Sequence, residues 1–107
     1  MGYQELLQAI MKEEIEQQKD QPKQVSFDFG TLDLEGTLNK ILMQLPDTEK
    51  RRLKMHYGID YDKIYNFEEI AQSEYTSRVA RIKRGVLRTL EYLQERKDIK
   101  KKLLPYI

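Results

Sequence analysis

The strongest constraint on the fold is residues 77–95, a run without proline whose side chains separate onto two sides of one helix. At about 100° per residue, one side collects apolar side chains spaced by three or four residues: Val79, Ile82, Val86, Leu90 and Leu93. The opposite side collects Ser77, Arg81, Arg84 and Arg88. This pattern predicts a long helix with one edge buried in a helical core and the other edge cationic.

The stretches around this helix predict an all-α fold, a small helical bundle with further segments attached. Residues 1–21 predict an N-terminal amphipathic helix, whose apolar stripe must be covered by the rest of the chain or by another protein. Residues 37–95 predict the bundle itself, and residues 96–107 predict a basic C-terminal tail.

The segment between the first helix and the bundle, residues 22–36, has a different pattern. Val25, Phe27 and Phe29 alternate with polar residues, and Leu32 and Leu34 do so again after a glycine. Alternation with a period of two on both sides of a glycine predicts a short β-hairpin. Because an isolated hairpin is marginally stable in water, an extended linker laid on the domain is an equal alternative.

Local signals mark the helix ends inside the bundle. Pro46 suits the first position of a helix, and Gly58 suits the left-handed residue that follows a helix. Asn66 and Glu69 have the spacing of a capping box, which predicts a short helix from Phe67 to Ser73. Thr76-Ser77 then predicts the start of the long helix.

The net charge of +1 conceals a strong asymmetry along the chain. Residues 76–107 hold ten basic and three acidic side chains, whereas the residues before them are acidic overall. A basic third of this kind indicates either a surface that binds a polyanion or an ordinary solvated helix face.

Composition excludes several classes of site. The chain has no Cys and one His, so disulfides, thiolate metal sites and His-rich metal sites are excluded, and we expect no cofactor. His56 has no nucleophile placed beside it by any motif, so we expect a protein that is not an enzyme. The sequence has no secretory or membrane-spanning apolar run, which predicts a cytoplasmic protein without membrane contact.

Several segments between Leu45 and Leu93 carry a family resemblance, and they occur in the correct order. Leu53 to Asp60 reads as the last part of a helix that ends in an aromatic-Gly-Ile-Asp segment, and it follows Leu45-Pro46. Tyr65 to Ala71, Arg78 to Ile82 and Val86 to Leu90 then follow. In these features the chain resembles region 4 of the sigma-70 family of bacterial transcription initiation factors.

The resemblance implies a helix-turn-helix that binds double-stranded promoter DNA at a −35-like element through the major groove. It also implies docking on the β-subunit flap of RNA polymerase through the apolar surface of the earlier helices. The family's base-reading positions fall on Thr76, Ser77 and Arg81, and a phosphate-contacting arginine falls on Arg78. With Arg84 and Arg88, these residues form the predicted DNA-binding set.

The chain also departs from the family pattern. The segment between Ala71 and Val79 is two residues shorter, and Thr76 and Ser77 stand where the family tends to carry Arg and Glu. The first 36 residues do not resemble the family's promoter-melting parts. We therefore expect a truncated sigma-like regulator or one half of a split factor, of a kind found by analogy in phages and mobile elements.

The departures keep a second interpretation open. In it, the same fold is a protein-interaction module that binds RNA polymerase or a sigma factor without reading a DNA sequence. The N-terminal residues 1–20 have three predicted roles in either case: packing on the domain, self-association, or binding to polymerase or a second sigma-like chain.

Overall fold

The computed structural model describes residues 2–17 and 30–107, and these residues form an all-α fold with no strand among them. The helices are α1 (Tyr3–Ile10), α2 (Lys12–Gln17), α3 (Gly30–Met43), α4 (Asp47–Tyr57), α5 (Phe67–Ser73), α6 (Val79–Glu95) and α7 (Lys97–Leu103). A short 3-10 helix, Leu104–Tyr106, follows α7.

The main core joins helices from both ends of the described chain. Its fully buried members come from α1, α3, α4, α6 and α7, and they include Leu6, Leu38, Leu53, Leu93 and Leu103. Each of these side chains is 0% exposed. Burial of a leucine stabilises a fold by roughly 1.5–3 kcal/mol. Because the leucines of α1 and α7 are buried in the same core as the predicted bundle, these two helices also stabilise it.

A smaller second core lies between α4, α5 and the first turns of α6. Met55, Ile70, Ala71 and Ile82 form its buried centre, and Tyr61, Tyr65, Phe67 and Val79 pack around it. The α6 helix therefore spans both cores, with its beginning in the small one and its later turns in the main one. This arrangement holds the exposed side of α6 in a fixed orientation.

Two of the predicted helix ends are confirmed. Gly58 has φ 71° at the end of α4, and its N–H donates to the carbonyls of Lys54 and Met55. The Asn66 side chain accepts from the Glu69 N–H at 2.8 Å, while Glu69 accepts from the Asn66 N–H at 3.1 Å. This is the predicted capping box, and α5 runs from Phe67 to Ser73 as expected.

Pro46 lies one position earlier than predicted. It has ψ 151° and stands just before α4 instead of in its first turn. Its carbonyl accepts the first helical hydrogen bond, from Lys50 N–H at 2.9 Å. Proline fits here because the position requires a backbone carbonyl that accepts a hydrogen bond and tolerates the fixed φ of proline. It requires no backbone N–H donor.

The hairpin or extended linker predicted for residues 22–36 is wrong where the structure describes it. Residues 30–36 form the first two turns of α3. The physical reason is that Leu34 lies four residues before Leu38 and joins the same buried stripe. The first half of that prediction, with Val25, Phe27 and Phe29, falls outside the described residues.

The prediction of a basic tail over residues 96–107 is also wrong. Residues 97–103 form α7, and Ile99 and Leu103, four residues apart, are buried at 1% and 0% exposure. The lysines of this segment occupy the solvent side of a helix whose short apolar stripe covers the core. Because lysines are so frequent in this segment, the short apolar stripe is hard to recognise in the sequence.

The N-terminal segment forms two helices where one was predicted. Met11 leaves helical geometry, with φ −101° and ψ 21°, and separates α1 from α2. Leu6, Leu7, Ile10 and Met11 are all buried against the chain's own core. Of the three predicted roles for residues 1–20, packing on the domain is the one that the described part of this segment shows.

Candidate nucleic-acid interface

The α6 helix buries one side and exposes the other. Its buried residues are Ile82, Val86, Thr89, Leu90 and Leu93. Thr89 joins this stripe because its hydroxyl donates to the Gly85 carbonyl at 2.9 Å, which satisfies the one buried polar side chain among the described residues. The predicted apolar stripe is confirmed, except that Val79 at the start of the helix is half-buried.

The arginine face, defined as Arg81, Arg84 and Arg88, lies on the exposed side of α6. At about 100° per residue the three positions fall within a sector of roughly 60°. None of the three forms an ion pair with any carboxylate in the described part of the chain. Three guanidinium groups are thus presented together to solvent, and residues 2–17 and 30–107 supply no counter-ion for them.

The remaining predicted site residues lie in the turn before α6. The helix begins at Val79, so Thr76, Ser77 and Arg78 precede it. Thr76 is half-buried and its hydroxyl accepts from the Arg78 N–H at 3.2 Å, whereas Ser77 and Arg78 are exposed. The prediction that the helix starts at Ser77 is therefore wrong by two residues, because Thr76 caps the turn instead.

The turn that joins α5 to α6, residues 74–78, contains a residue in an unusual conformation. Tyr75 has φ 56°, in the left-handed region that aromatic residues rarely adopt. Its N–H donates to the Gln72 carbonyl at 3.0 Å, and its side chain is 98% exposed. The sequence contains no signal for the left-handed conformation of Tyr75, because a left-handed turn position normally carries glycine or asparagine.

A carboxylate clamp holds this turn to α4. Glu74 accepts two hydrogen bonds from Arg52, at 2.8 and 2.7 Å, and a contact from Arg51 at 3.0 Å. The Glu74 side chain is only 15% exposed. The hydrogen bonds from Arg52 lower the pKa of the Glu74 carboxyl below its ordinary value, against the opposing effect of burial.

Gly85 makes room for the clamp within α6. A Cβ atom at this position would lie 3.0 Å from an Arg52 guanidinium nitrogen. A glycine inside a helix lowers stability by about 1 kcal/mol relative to alanine. Here the missing Cβ leaves space for Arg52 to lie along α6 and reach Glu74. Sequence reasoning missed the clamp, because Arg52 and Glu74 are 22 residues apart.

A groove of about 390 Å³ lies between the beginning of α4 and the side of α6. Its lining residues are Gln44, Leu45, Pro46, Glu49, Arg52, Gly85, Arg88, Thr89 and Tyr92. The apolar residues of the earlier helices, predicted as a docking surface, are mostly buried in the core, including Leu42 and Leu53. This groove is one accessible part of that surface, and Arg88 of the arginine face is among its lining residues.

The positive charge of residues 76–107 is partly neutralised at the far end of α6. Arg96 donates to Asp98 at 2.8 and 2.6 Å, and these bonds lower the Asp98 pKa to about 2. Lys100 pairs with Glu14 at 2.8 Å. Within residues 76–107, the cations without a carboxylate partner in the described part of the chain are therefore the arginines and Lys83 of α6, Arg78 before it, and three exposed lysines of α7, Lys97, Lys101 and Lys102.

His56 joins the end of α4 to the start of α5. Its ring stacks on Phe67 at 4.6 Å between ring centroids and meets Tyr57 edge-on at 5.0 Å. Its Nδ1 atom is buried without a hydrogen-bond partner among the described residues. Burial lowers the pKa of His56 below 6.5, although the Tyr65 backbone opposes this shift.

This environment predicts a loss of stability in mild acid. Because the folded-state pKa of His56 lies below its unfolded value of 6.5, the unfolded chain binds more protons. The free energy of unfolding should be greatest above pH 6.5 and should decrease as the pH falls through the window below it. Urea unfolding at about pH 7.5 and about pH 5 measures the change.

The His56→Phe variant is the matched control, because it keeps the stacked ring and removes the titration. Carboxylates titrate equally in both proteins, so the difference between them isolates His56. An equal loss of stability in the variant and in the wild type would contradict the assignment.

Comparison of the chain with protein-family models, with curated proteins and with solved structures finds no match. In the described ranges, no helix is long and apolar enough to cross a membrane. Within the same ranges, no group of three or more His, Cys, Asp or Glu side chains is arranged to hold a metal ion. The geometry around α6 is therefore the basis for a functional assignment.

Proposed function

We propose that this chain is a DNA-binding transcription regulator with a sigma region 4-like helix-turn-helix formed by α5, the turn at 74–78, and α6. The observation that carries the proposal is the arginine face, three exposed guanidinium groups on the side of α6 away from both cores. An α-helix fits the major groove of B-DNA, and arginine pairs bidentately with guanine there.

The dimensions of the arginine face suit a short DNA site. Arg81 and Arg88 are seven positions apart, which corresponds to about 10 Å along a helix or about three base pairs of duplex. Glu91 and Glu95 are exposed one and two turns further along the same side of α6. Their charge opposes phosphate contact, so the first half of α6 is the part that enters the groove.

The salt dependence of binding tests this proposal. Fluorescence anisotropy with a labelled duplex of roughly 20 base pairs should show affinity that falls linearly on a log–log plot against salt. We expect a slope of about −2 to −4, since two to four arginines would displace phosphate counter-ions. An absence of duplex binding at low salt would remove the proposal.

A second candidate function is a protein-interaction module of the same fold, which binds RNA polymerase or a sigma factor without reading DNA. The observation that favours it is the turn: Thr76, at a base-reading position of the family, is half-buried and bonded to the Arg78 N–H. Co-purification with core polymerase, measured beside duplex binding, separates the two functions. Polymerase capture without duplex affinity would favour the module.

Docking on the β-subunit flap of polymerase remains part of both proposals. The groove beside α4 is the surface offered for it, because it combines the exposed Pro46 and Tyr92 with the charged Arg88. A regulator that holds polymerase through this groove and DNA through the arginine face would bind two partners on adjoining surfaces.

A further inference from the structure

We infer that Tyr75 is a DNA-backbone contact, whose phenol hydroxyl donates a hydrogen bond to a phosphate beside the groove that α6 enters. This inference rests on the proposed function and adds a residue that neither the sequence motifs nor the arginine face includes. It begins from a conflict in the structure: the side chain is 98% exposed, yet the backbone has φ 56°.

The conformation of Tyr75 is unfavourable for its residue type. A bulky side chain at positive φ is a genuine outlier, and such strain tends to persist at functional sites. Glycine or asparagine would take the same position at lower cost. Folding does not explain the choice of tyrosine, because a ring that is 98% exposed buries almost nothing.

The surroundings of Tyr75 identify the chemistry of its partner. The residue is three peptide links from Arg78, so their Cα atoms lie at most about 11 Å apart. Ser77 and Arg78 beside it are exposed, and Arg78 has no ion-pair partner among residues 2–17 and 30–107. A phenol, a hydroxyl and a guanidinium at the beginning of one helix are donors of the kind that contact phosphate oxygens.

The turn is also fixed in position, which a phosphate contact requires. Glu74, the residue before Tyr75, is bonded to Arg52 at 2.8 and 2.7 Å. On the other side, the Thr76 N–H donates to the Ala71 carbonyl at 3.0 Å. The phenol is thus carried on a backbone anchored on both sides, so little order is lost when it meets a phosphate.

Three variants of Tyr75 test the inference. Tyr75→Asn and Tyr75→Gly relieve the strained backbone and should raise Tm by about 4 °C, yet lower duplex affinity about 5- to 10-fold. Tyr75→Phe keeps the ring and the strain, and it should leave Tm unchanged while lowering affinity about 3- to 5-fold. Tyr106→Phe is the control, because the Tyr106 hydroxyl already hydrogen-bonds with the Thr37 hydroxyl within the chain, at 3.2 Å.

The readouts distinguish this inference from the proposed function. If the wild type binds duplex DNA and Tyr75→Asn binds equally well, the Tyr75 contact is overturned while DNA binding stands, and a protein contact becomes the better explanation of the exposed ring. If the wild type binds no duplex, both proposals are overturned. A variant that is more stable and binds more weakly is the result that supports the inference.

Discussion

Replacing Arg81 and Arg84 with alanine should weaken duplex binding about 100-fold, roughly 3 kcal/mol, since each bidentate arginine–guanine pair contributes about 1–3 kcal/mol. Both side chains are exposed on the arginine face and have no ion-pair partner in the described residues, so the loss should appear in binding and not in folding. Anisotropy titration with unchanged circular dichroism measures the effect.

Two controls distinguish specific arginine–base contacts from non-specific electrostatic attraction between the protein and DNA. Lys101→Ala with Lys102→Ala removes the same charge from the exposed side of α7 and should change affinity less than about threefold. Arg81→Lys with Arg84→Lys keeps the charge and loses the bidentate geometry, so it should show an intermediate loss. Equal losses in the alanine variant and the lysine-deletion control would contradict a specific role for the arginine face.

Replacing Glu74 with alanine should lower the free energy of unfolding by about 2–3 kcal/mol. The change removes a carboxylate that satisfies Arg52 through two hydrogen bonds and leaves the two arginines unpaired, Arg52 with a side chain that is only 19% exposed. Breaking a largely buried pair by removing one partner costs several kcal/mol, because the remaining charge stays desolvated. Urea unfolding monitored by circular dichroism gives the value.

The matched control is Glu68→Ala, which removes an exposed carboxylate from the first turn of α5, the helix just before Glu74. It should cost no more than about 1 kcal/mol, through the helix dipole. The double variant Arg52→Met with Glu74→Met should recover part of the loss, because neither charge then remains buried. A Glu74→Ala protein as stable as the Glu68→Ala control would show that the clamp contributes little.

The parts of the fold that follow from local chemistry could be predicted from the sequence. Asn66 and Glu69 define a capping box three residues apart, Gly58 supplies a left-handed residue, and the stripe from Ile82 to Leu93 repeats at helical spacing. Each of these signals lies within one or two helical turns, where covalent geometry fixes the neighbours.

The parts that depend on distant residues could not be predicted. In the sequence, Leu34 belongs to an alternating run that predicts a strand. In the structure, Leu34 lies in α3 and is buried in the main core together with Leu38. The many lysines of α7 hide the pair Ile99 and Leu103, whose burial depends on the packing of α7 against distant helices such as α3. At the candidate site, the arginine face follows from spacing alone, whereas Tyr75 and the Glu74 clamp depend on how α4 meets the turn.

The pairing of the first helix with the last long one sets an order for folding. Gln94 donates from Nε2 to the Ala9 carbonyl at 2.8 Å, a bond between residues 85 positions apart, and Leu6 and Leu93 share the main core. Contacts of such separation form slowly, because a long loop must close first. During synthesis α1 can meet α3 and α4 first, but the side of α1 that packs on α6 stays open to non-native contacts until α6 has been made.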